Sequence, residues 1–543
     1  MTASVPALDL KAIAAAYASG ATSPSQLVQA LHPQLAAAPA MFIHLAPLQQ
    51  LLERAAALEA QPEGSRGALW GVPFATKDNV DVAGMPTTAA CPAFSYVPEK
   101  SAAAVQALED AGGINFGKTN LDQFASGLVG TRTPYGTARN AFDSRFIPGG
   151  SSSGSAAAVG AGLLCFALGT DTAGSGRVPA GYNGCVGLKG TLGKISTAGV
   201  VPACASLDCL TVFARSVDDG AAIMAVMERG DAGPADVWRR SSPLPLTYSP
   251  GPGAPFRFGV PGPEFLEWTG PGGNAMATAS AAAFAAAVER LQGCGGSLVP
   301  IDFSPFAQAA ALLYQSSFVA ERYSGLRAFL DQPHAADAKG AQALAAAGVA
   351  ADPAAAALLQ QRSLAGDARL MPVTRAIISG AGKFTATDAF DDKARLAVLA
   401  AAARHQLASI DCLLVPTALE HYLLQEIADT EDQEAPSWPL NAKNGRFTNF
   451  VNLLDMCGIA VPSGLLTVDY AAPEAAASAQ QRAQRLAASG GPLAVALPFG
   501  VTLLAPAWRD EWLWGVAAAM EQAAGLGCGP AGHGVEPVVV VQA

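Results

Sequence analysis

GGSSSGSAAAVGAGLLCFALGTDTAGSGRVPA, from Gly149 to Ala180, is the stretch that decides how this chain is read. Its small-residue run from Ser155 to Leu163 predicts a closely packed helix. CFALGTD predicts a buried strand, and TAGSGRVPA the loop that leaves it. Two glycine-flanked serines, Ser151 and Ser175, stand 24 positions apart. Glycines let a backbone turn sharply and bring N–H groups close to a bound carbonyl oxygen. Upstream, VPFATKDNV (Val72 to Val80) places Lys77 after a short apolar strand. A serine nucleophile at neutral pH needs a base, a proton path and oxyanion donors. Lys77 can serve as base, Ser151 as path and Ser175 as nucleophile, with donors in the backbone around Gly174. No histidine is required, and this chemistry suits amide hydrolysis.

Each motif alone has a plainer reading. TAGSG can be a structural turn, Ser151 a helix cap, and Lys77 an ion-pair partner of Asp78. GSSSG also fits the G-x-S-x-G elbow with Ser152 as nucleophile, which demands a strand immediately before it. NAFDSRFIPGG does not read as a core strand. A Gly/Ser loop at a helix N-terminus can hold phosphate, but G-x-x-x-x-G-K-[ST] is missing, since Lys189 and Lys194 fall outside that pattern. Asp171 and Arg177 flank the second serine and read as a structural pair.

Outward from this stretch the pattern is β–α–β. Residues 8–63 show helical spacing, with Ser23 and Ser25 as caps around Pro24. WGVPFAT (70–76) reads as a strand, 101–112 as a helix and INFGKTN as a returning strand. Residues 228–255 read as a surface connection. Further on come FRFGVP as strand, Ala275 to Leu291 as helix, SLVPIDF as strand and Ala307 to Leu330 as one long helix. Residues 335–365 read as helical. CLLVPTA (412–418) reads as a strand ending near the site, and Gln425 to Arg446 as a loop or lid. FTNFVNLLDMCGIAVPSG is a helix running into a strand, and 471–491 a partly helical surface insertion between the two last strands. The fold class is α/β: a large mixed β-sheet core flanked by helices, with N-terminal helices leading in. The expected division is 1–65 as N-terminal helical segment, 66–525 as main domain and 526–543 as a short tail.

Composition narrows the function classes. The chain has 543 residues, 51% hydrophobic and only 14% charged, which favours a large buried core over disorder. A net charge of −11 without a dense Lys/Arg cluster argues against nucleic acid as a partner. No signal peptide and no apolar run long enough for a membrane span is read, so the expected setting is the cytoplasm. Nine cysteines without a CxxC pair fit reduced, mostly buried thiols, with no metal site.

Taken together, Lys77, Ser151 and Ser175 in these motifs resemble the amidase signature family over roughly residues 66–225. The resemblance implies Ser175 as nucleophile, Ser151 as relay serine in a cis-peptide arrangement, and Lys77 as base. It also implies an oxyanion hole from the backbone of Thr172, Ala173 and Gly174, and no cofactor. SGLVGTRTPYG (126–136), LLYQSSFVAERY (312–323) and FTNFVNLLDMCGIAVPSG (447–464) are similar to the allophanate hydrolases of that family. That similarity implies substrate contacts from Gly127, Tyr314 and Arg322, the last two near one face of a helix. A small anionic ureide would be the substrate, held by the arginine and the tyrosine hydroxyl. It implies a functional link to a urea carboxylase, and a homodimer through the N-terminal helices is one possible assembly. On residues alone, Arg322 could equally pair with Glu321 and Tyr314 could be core packing. Another amidase of the family, or a glutamine amidotransferase subunit, is the nearest alternative.

Overall fold

A computed structural model of the chain describes residues 5–38, 40–242, 253–332, 367–433, 436–471 and 477–539. The helical reading of 335–365 lies outside them. One mixed sheet of 11 strands runs through the described residues. In chain order the strands are β1 (Phe42–Leu45), β2 (Pro73–Lys77), β3 (Ile114–Thr119), β4 (Phe166–Asp171), β5 (Val186–Lys189) and β6 (Cys209–Ala214). They continue with β7 (Phe256–Gly259), β8 (Gly296–Leu298), β9 (Cys412–Pro416), β10 (Met456–Asp469) and β11 (Ala494–Pro506). Their spatial order is β1-β3-β2-β4-β6-β5-β10-β11-β9-β7-β8. The expected α/β class and mixed sheet are present. β1, β5 and β6 have no counterpart in the sequence reading; β1 and β5 are four-residue strands, one half-buried and one broken by glycine, that give little period-2 signal.

β3, β2 and β4 run parallel, so their C-terminal ends open on one side of the sheet. Lys77 ends β2 there, and Thr170 and Asp171 end β4. That rim is where open α/β sheets place ligands. β2 and β4 are buried along their whole length, and Phe74 stacks on Phe166 with ring centroids 5.0 Å apart. The helix Ser153–Gly160 feeds β4, and all eight of its residues are buried. Its small side chains are a packing requirement: a Cβ on Gly154 would lie 2.2 Å from Met41 O and 2.6 Å from Asn120 N.

Four segments differ from expectation. TAGSGRVPA is not all loop, since Val178–Asn183 is helical with Pro179 in its first turn. The long helix expected over Ala307 to Leu330 breaks into Ser304–Gln315 and Ala320–Leu330, joined by a short 3₁₀ turn. Ser316 is extended at the break, and its Oγ donates to Leu312 O at 2.7 Å, the side-chain competition that ends helices. The expected lid over 425–446 holds two helices, Leu424–Glu431 and Pro439–Asn444. It is anchored where buried Glu431 accepts two bonds from Arg132, at 2.7 and 2.6 Å. The 471–491 insertion does lie between β10 and β11, but its helix Ala477–Ala488 is not merely superficial. Arg482 on that helix is fully buried, donating to Glu426 at 2.8 and 2.6 Å and lying 3.1 Å from Glu420. No described helix is long and apolar enough to cross a membrane.

Candidate active site

β2 delivers Lys77 into the interior with no exposed surface. Its Nζ donates to Ser151 Oγ and to Thr170 Oγ1, both at 2.8 Å. Asn79 Nδ2 donates to the same threonine hydroxyl at 3.3 Å. Burial pushes the Lys77 pKa down to about 7, against the opposing pull of Asp122, Asp171 and Asp208. A lysine in that range holds a substantial neutral fraction at pH 7 and can accept a proton. Asp78 is not its partner. That carboxylate lies 3.3 Å from Lys118 Nζ and accepts from Thr88.

Ser151 follows a cis Gly150–Ser151 peptide bond, and its carbonyl accepts from Asp122 N at 3.0 Å. Asp122 also accepts from the backbone N–H groups of Val129, Gly130 and Arg132. The carboxylate therefore gathers the loop containing Gly127 against the Ser151 turn. There is no room for a side chain at either glycine: a Cβ on Gly127 or Gly150 would lie 2.5 or 2.1 Å from Asp122 Oδ2. Ser152, the alternative elbow serine, is buried and donates to Thr170 O at 3.3 Å. The segment before it carries isolated bridges only, so the elbow geometry is not formed.

Ser175 sits in the loop between β4 and the helix Val178–Asn183. Asp171 closes that loop by accepting from Gly174 N (2.8 Å), Gly176 N (3.0 Å) and the Arg177 guanidinium (2.9 Å twice). Burial alone would raise the Asp171 carboxyl, but Arg177 and its other partners hold it below the usual carboxylate range. Gly174 has φ +124, which favours glycine, and a Cβ there would strike Thr448 Oγ1 at 2.3 Å. Of the expected oxyanion donors, Gly174 N–H is thus engaged by Asp171, while Thr172 and Ala173 donate no backbone bond to the described residues. The Ser175 hydroxyl donates to Gly127 O at 3.5 Å and is not hydrogen-bonded to Ser151.

Tyr314 and Arg322 lie on separate helices rather than one face of a single helix, yet their side chains meet. Arg322 Nη2 donates to Tyr314 OH at 3.0 Å, the guanidinium lies 4.9 Å from the ring centroid, and Nη1 donates to Ser126 Oγ at 3.4 Å. Ser126 adjoins Gly127, whose carbonyl receives Ser175. Arg322 is 1% exposed, has no ion-pair partner among the described residues, and leaves Nε without an acceptor. Glu321 turns away and accepts from Ser206 N and Oγ at 2.7 and 2.8 Å.

Three further residues belong to this centre without having been singled out. Thr170 shares Lys77 with Ser151, Asp122 organises the Gly127 loop, and buried Asp208 accepts from the Thr172 hydroxyl and from Ala203 N and Cys204 N. Burial raises Asp208 to about 6 despite those donors. Thr170 and Asp122 each end or follow a strand read from sequence, a positional signal that could have marked them. No metal-ligating group of three or more His, Cys, Asp or Glu side chains occurs among the described residues.

A family model described as Amidase matches residues 26–513. Urea amidolyase of Saccharomyces cerevisiae is 38% identical over 425 residues, covering 78% of this chain and 20% of that protein. A glutamyl-tRNA(Gln) amidotransferase component from Oleidesulfovibrio alaskensis is 41% identical over 233 residues, 42% of this chain and 48% of that one. Among solved structures, Kluyveromyces lactis allophanate hydrolase superposes with a TM-score of 0.76 at 33% identity, covering 96% of this chain and 74% of its own. The chain therefore spans about a fifth of the urea amidolyases it matches.

Proposed function

We propose that this chain, which belongs to the amidase family, hydrolyses the terminal amide of allophanate through a Ser175–Ser151–Lys77 relay. The observation that carries the substrate assignment is Arg322: a buried guanidinium without a carboxylate partner, meeting Tyr314 and Ser126 beside the Gly127 carbonyl that receives Ser175. Burying an unpaired cation is costly, and a carboxylate-bearing substrate removes that cost while fixing its own orientation. The likeness to an allophanate hydrolase and to urea amidolyases supports the same reading.

The reaction begins as Ser175 turns its hydroxyl from Gly127 O toward Ser151. Neutral Lys77 takes the Ser151 proton while Ser151 takes that of Ser175. Ser175 Oγ attacks the amide carbonyl, and the Thr172–Gly174 loop receives the oxyanion, with Thr172 and Ala173 supplying the unengaged N–H groups. The relay returns a proton to nitrogen and ammonia leaves. Water then cleaves the acyl-enzyme by the same path in reverse, releasing N-carboxycarbamate, which decarboxylates. The substrate is a carboxylated urea, so a urea carboxylase is the expected supplier.

Ammonia release from allophanate, malonamate, glutamine and neutral amides tests the reading, with Ser175→Ala as blank. Preference for allophanate that disappears in the blank is expected. Turnover of glutamine or neutral amides alone would keep the relay and overturn the Tyr314/Arg322 assignment.

A further inference from the structure

A second cleft, of about 680 Å³, lies at the opposite end of the helix whose N-terminus follows Ser151. Its floor is Gly160 to Gly162, where the helix Ser153–Gly160 finishes, and its roof is the C-terminal strand-like segment. That segment is held in place: Cys528 Sγ donates to Val159 O at 3.5 Å, Gly529 N to Gly184 O at 2.8 Å and Val538 N to Phe142 O at 2.8 Å. Eight helical residues rising 1.5 Å each place the cleft about 12 Å from the relay turn.

The lining is mostly apolar, Val535 and Val538 among it, with a few polar side chains: Arg139, Arg215, Asn140, Ser144 and one carboxylate, Glu536. That size and that balance are characteristic of small-molecule sites. Two arginines line it without a partner of their own among the described residues. Arg132, Arg145, Arg177 and Arg482 each carry a carboxylate, whereas Arg139 and Arg215, both half-buried, carry no hydrogen bond or ion pair among the described residues. Glu536 shares the cleft but lies beyond ion-pair distance of either. Arg215 Nη1 would lie 3.4 Å from a Cβ on Gly162, so its charge sits over the carbonyl end of the helix. A cation there offsets the negative end of the helix dipole, and the anion would meet the face of the guanidinium turned away from the carbonyls.

We infer that this cleft binds an amphipathic organic anion, with a carboxylate head between Arg139 and Arg215 and an apolar body along Val535 and Val538. Guanidinium forks suit a planar carboxylate, and the apolar remainder disfavours a fully polar anion such as inorganic phosphate.

Titration calorimetry of the full chain with octanoate tests this. Expected is saturable one-site binding, equal in wild type and Ser175→Ala, weakened at least about tenfold in Arg139→Gln and in Arg215→Gln, the range for removing one charged partner. 1-Octanol and inorganic phosphate should each bind at least about tenfold more weakly than octanoate. Thermal melting of the two variants shows whether they remain folded. The inference is overturned if wild type does not bind octanoate, if neither glutamine variant weakens it, if octanol binds as well, or if Arg322→Ala alone abolishes it.

Discussion

The hydroxyl of Thr172 donates to the carboxylate of Asp208, tying the loop that carries Ser175 to the 203–208 turn. The same turn is gripped by Glu321 through Ser206, next to Arg322. The Ser175 loop and the Arg322 side of the site are therefore positioned by one short segment.

Asp208→Asn breaks that tie, because an amide cannot accept from Thr172, Ala203 and Cys204 together. We expect kcat to fall about tenfold to a hundredfold, less than for loss of a direct oxyanion donor, with KM nearly unchanged. The stability effect has a fixed sign. The folded pKa of Asp208 is raised from 3.8 to about 6, so its stabilising contribution is complete below the unfolded value and lost as pH rises through 6. Melting curves at pH 4 and pH 7 should show wild type losing ground to the variant; movement the other way would refute the assignment.

Lys77, lowered from 10.5 to about 7, should give kcat/KM an acid limb near pH 7, falling about tenfold per pH unit below it. Lys77→Met should cost about 10²- to 10⁴-fold in rate. A depressed lysine pKa contributes stability above its unfolded value, lost as pH falls through 7. Lys77→Met should accordingly melt higher than wild type at pH 6 and lose that advantage toward pH 10.

Arg322→Ala should cost allophanate about 2–5 kcal/mol in kcat/KM, the range for truncating one side of a buried charge pair, and leave neutral amides nearly unaffected. Arg322→Lys should not restore it, because an ammonium reproduces neither the Tyr314 stacking nor the fork. Steady-state kinetics on a charged and a neutral amide decide this.

Gly174→Ala should abolish turnover without removing any reacting group. The new methyl meets Thr448 Oγ1 in a backbone region side chains avoid, so the loop must shift. Near-normal activity would show that the loop's path is not what orients Ser175.

Arg482→Met removes one member of the buried Arg482–Glu426–Glu420 group and leaves two carboxylates without their cation. Destabilisation of about 3–5 kcal/mol is expected, read by denaturant unfolding. The burial-raised Glu420, at about 7, should take up a proton in the variant, so the loss should be smaller at pH 5 than at pH 8.

The parallel strands, and the neighbourhood of Lys77 and Ser151, were legible because each leaves a strong local mark: buried apolar runs, glycine-flanked serines and a lysine after an apolar lead-in. The break at Ser316 was not, because a hydroxyl that bonds Leu312 O and ends a helix looks the same in sequence as one that tolerates it. Arg482 was hidden for a different reason. It sits in an alanine-rich, polar segment whose only sign of burial is its distant partner, Glu426. Asp208 acts through two backbone N–H groups and the Thr172 hydroxyl, contacts that carry no sequence signature.

The separation between the helices Ser304–Gln315 and Ala320–Leu330 and the strand rim has a practical meaning. Lys77, Ser151 and Ser175 come from one stretch of fewer than a hundred residues folded onto β2 and β4, whereas Tyr314 and Arg322, the proposed substrate contacts, come from a different region of the chain. The two regions are distant in sequence yet joined at the 203–208 turn, which holds Thr172 through Asp208 and is held by Glu321 through Ser206. Redesign aimed at new amides should therefore vary Tyr314 and Arg322 and keep Glu321, whose hold on Ser206 also steadies the Ser175 loop.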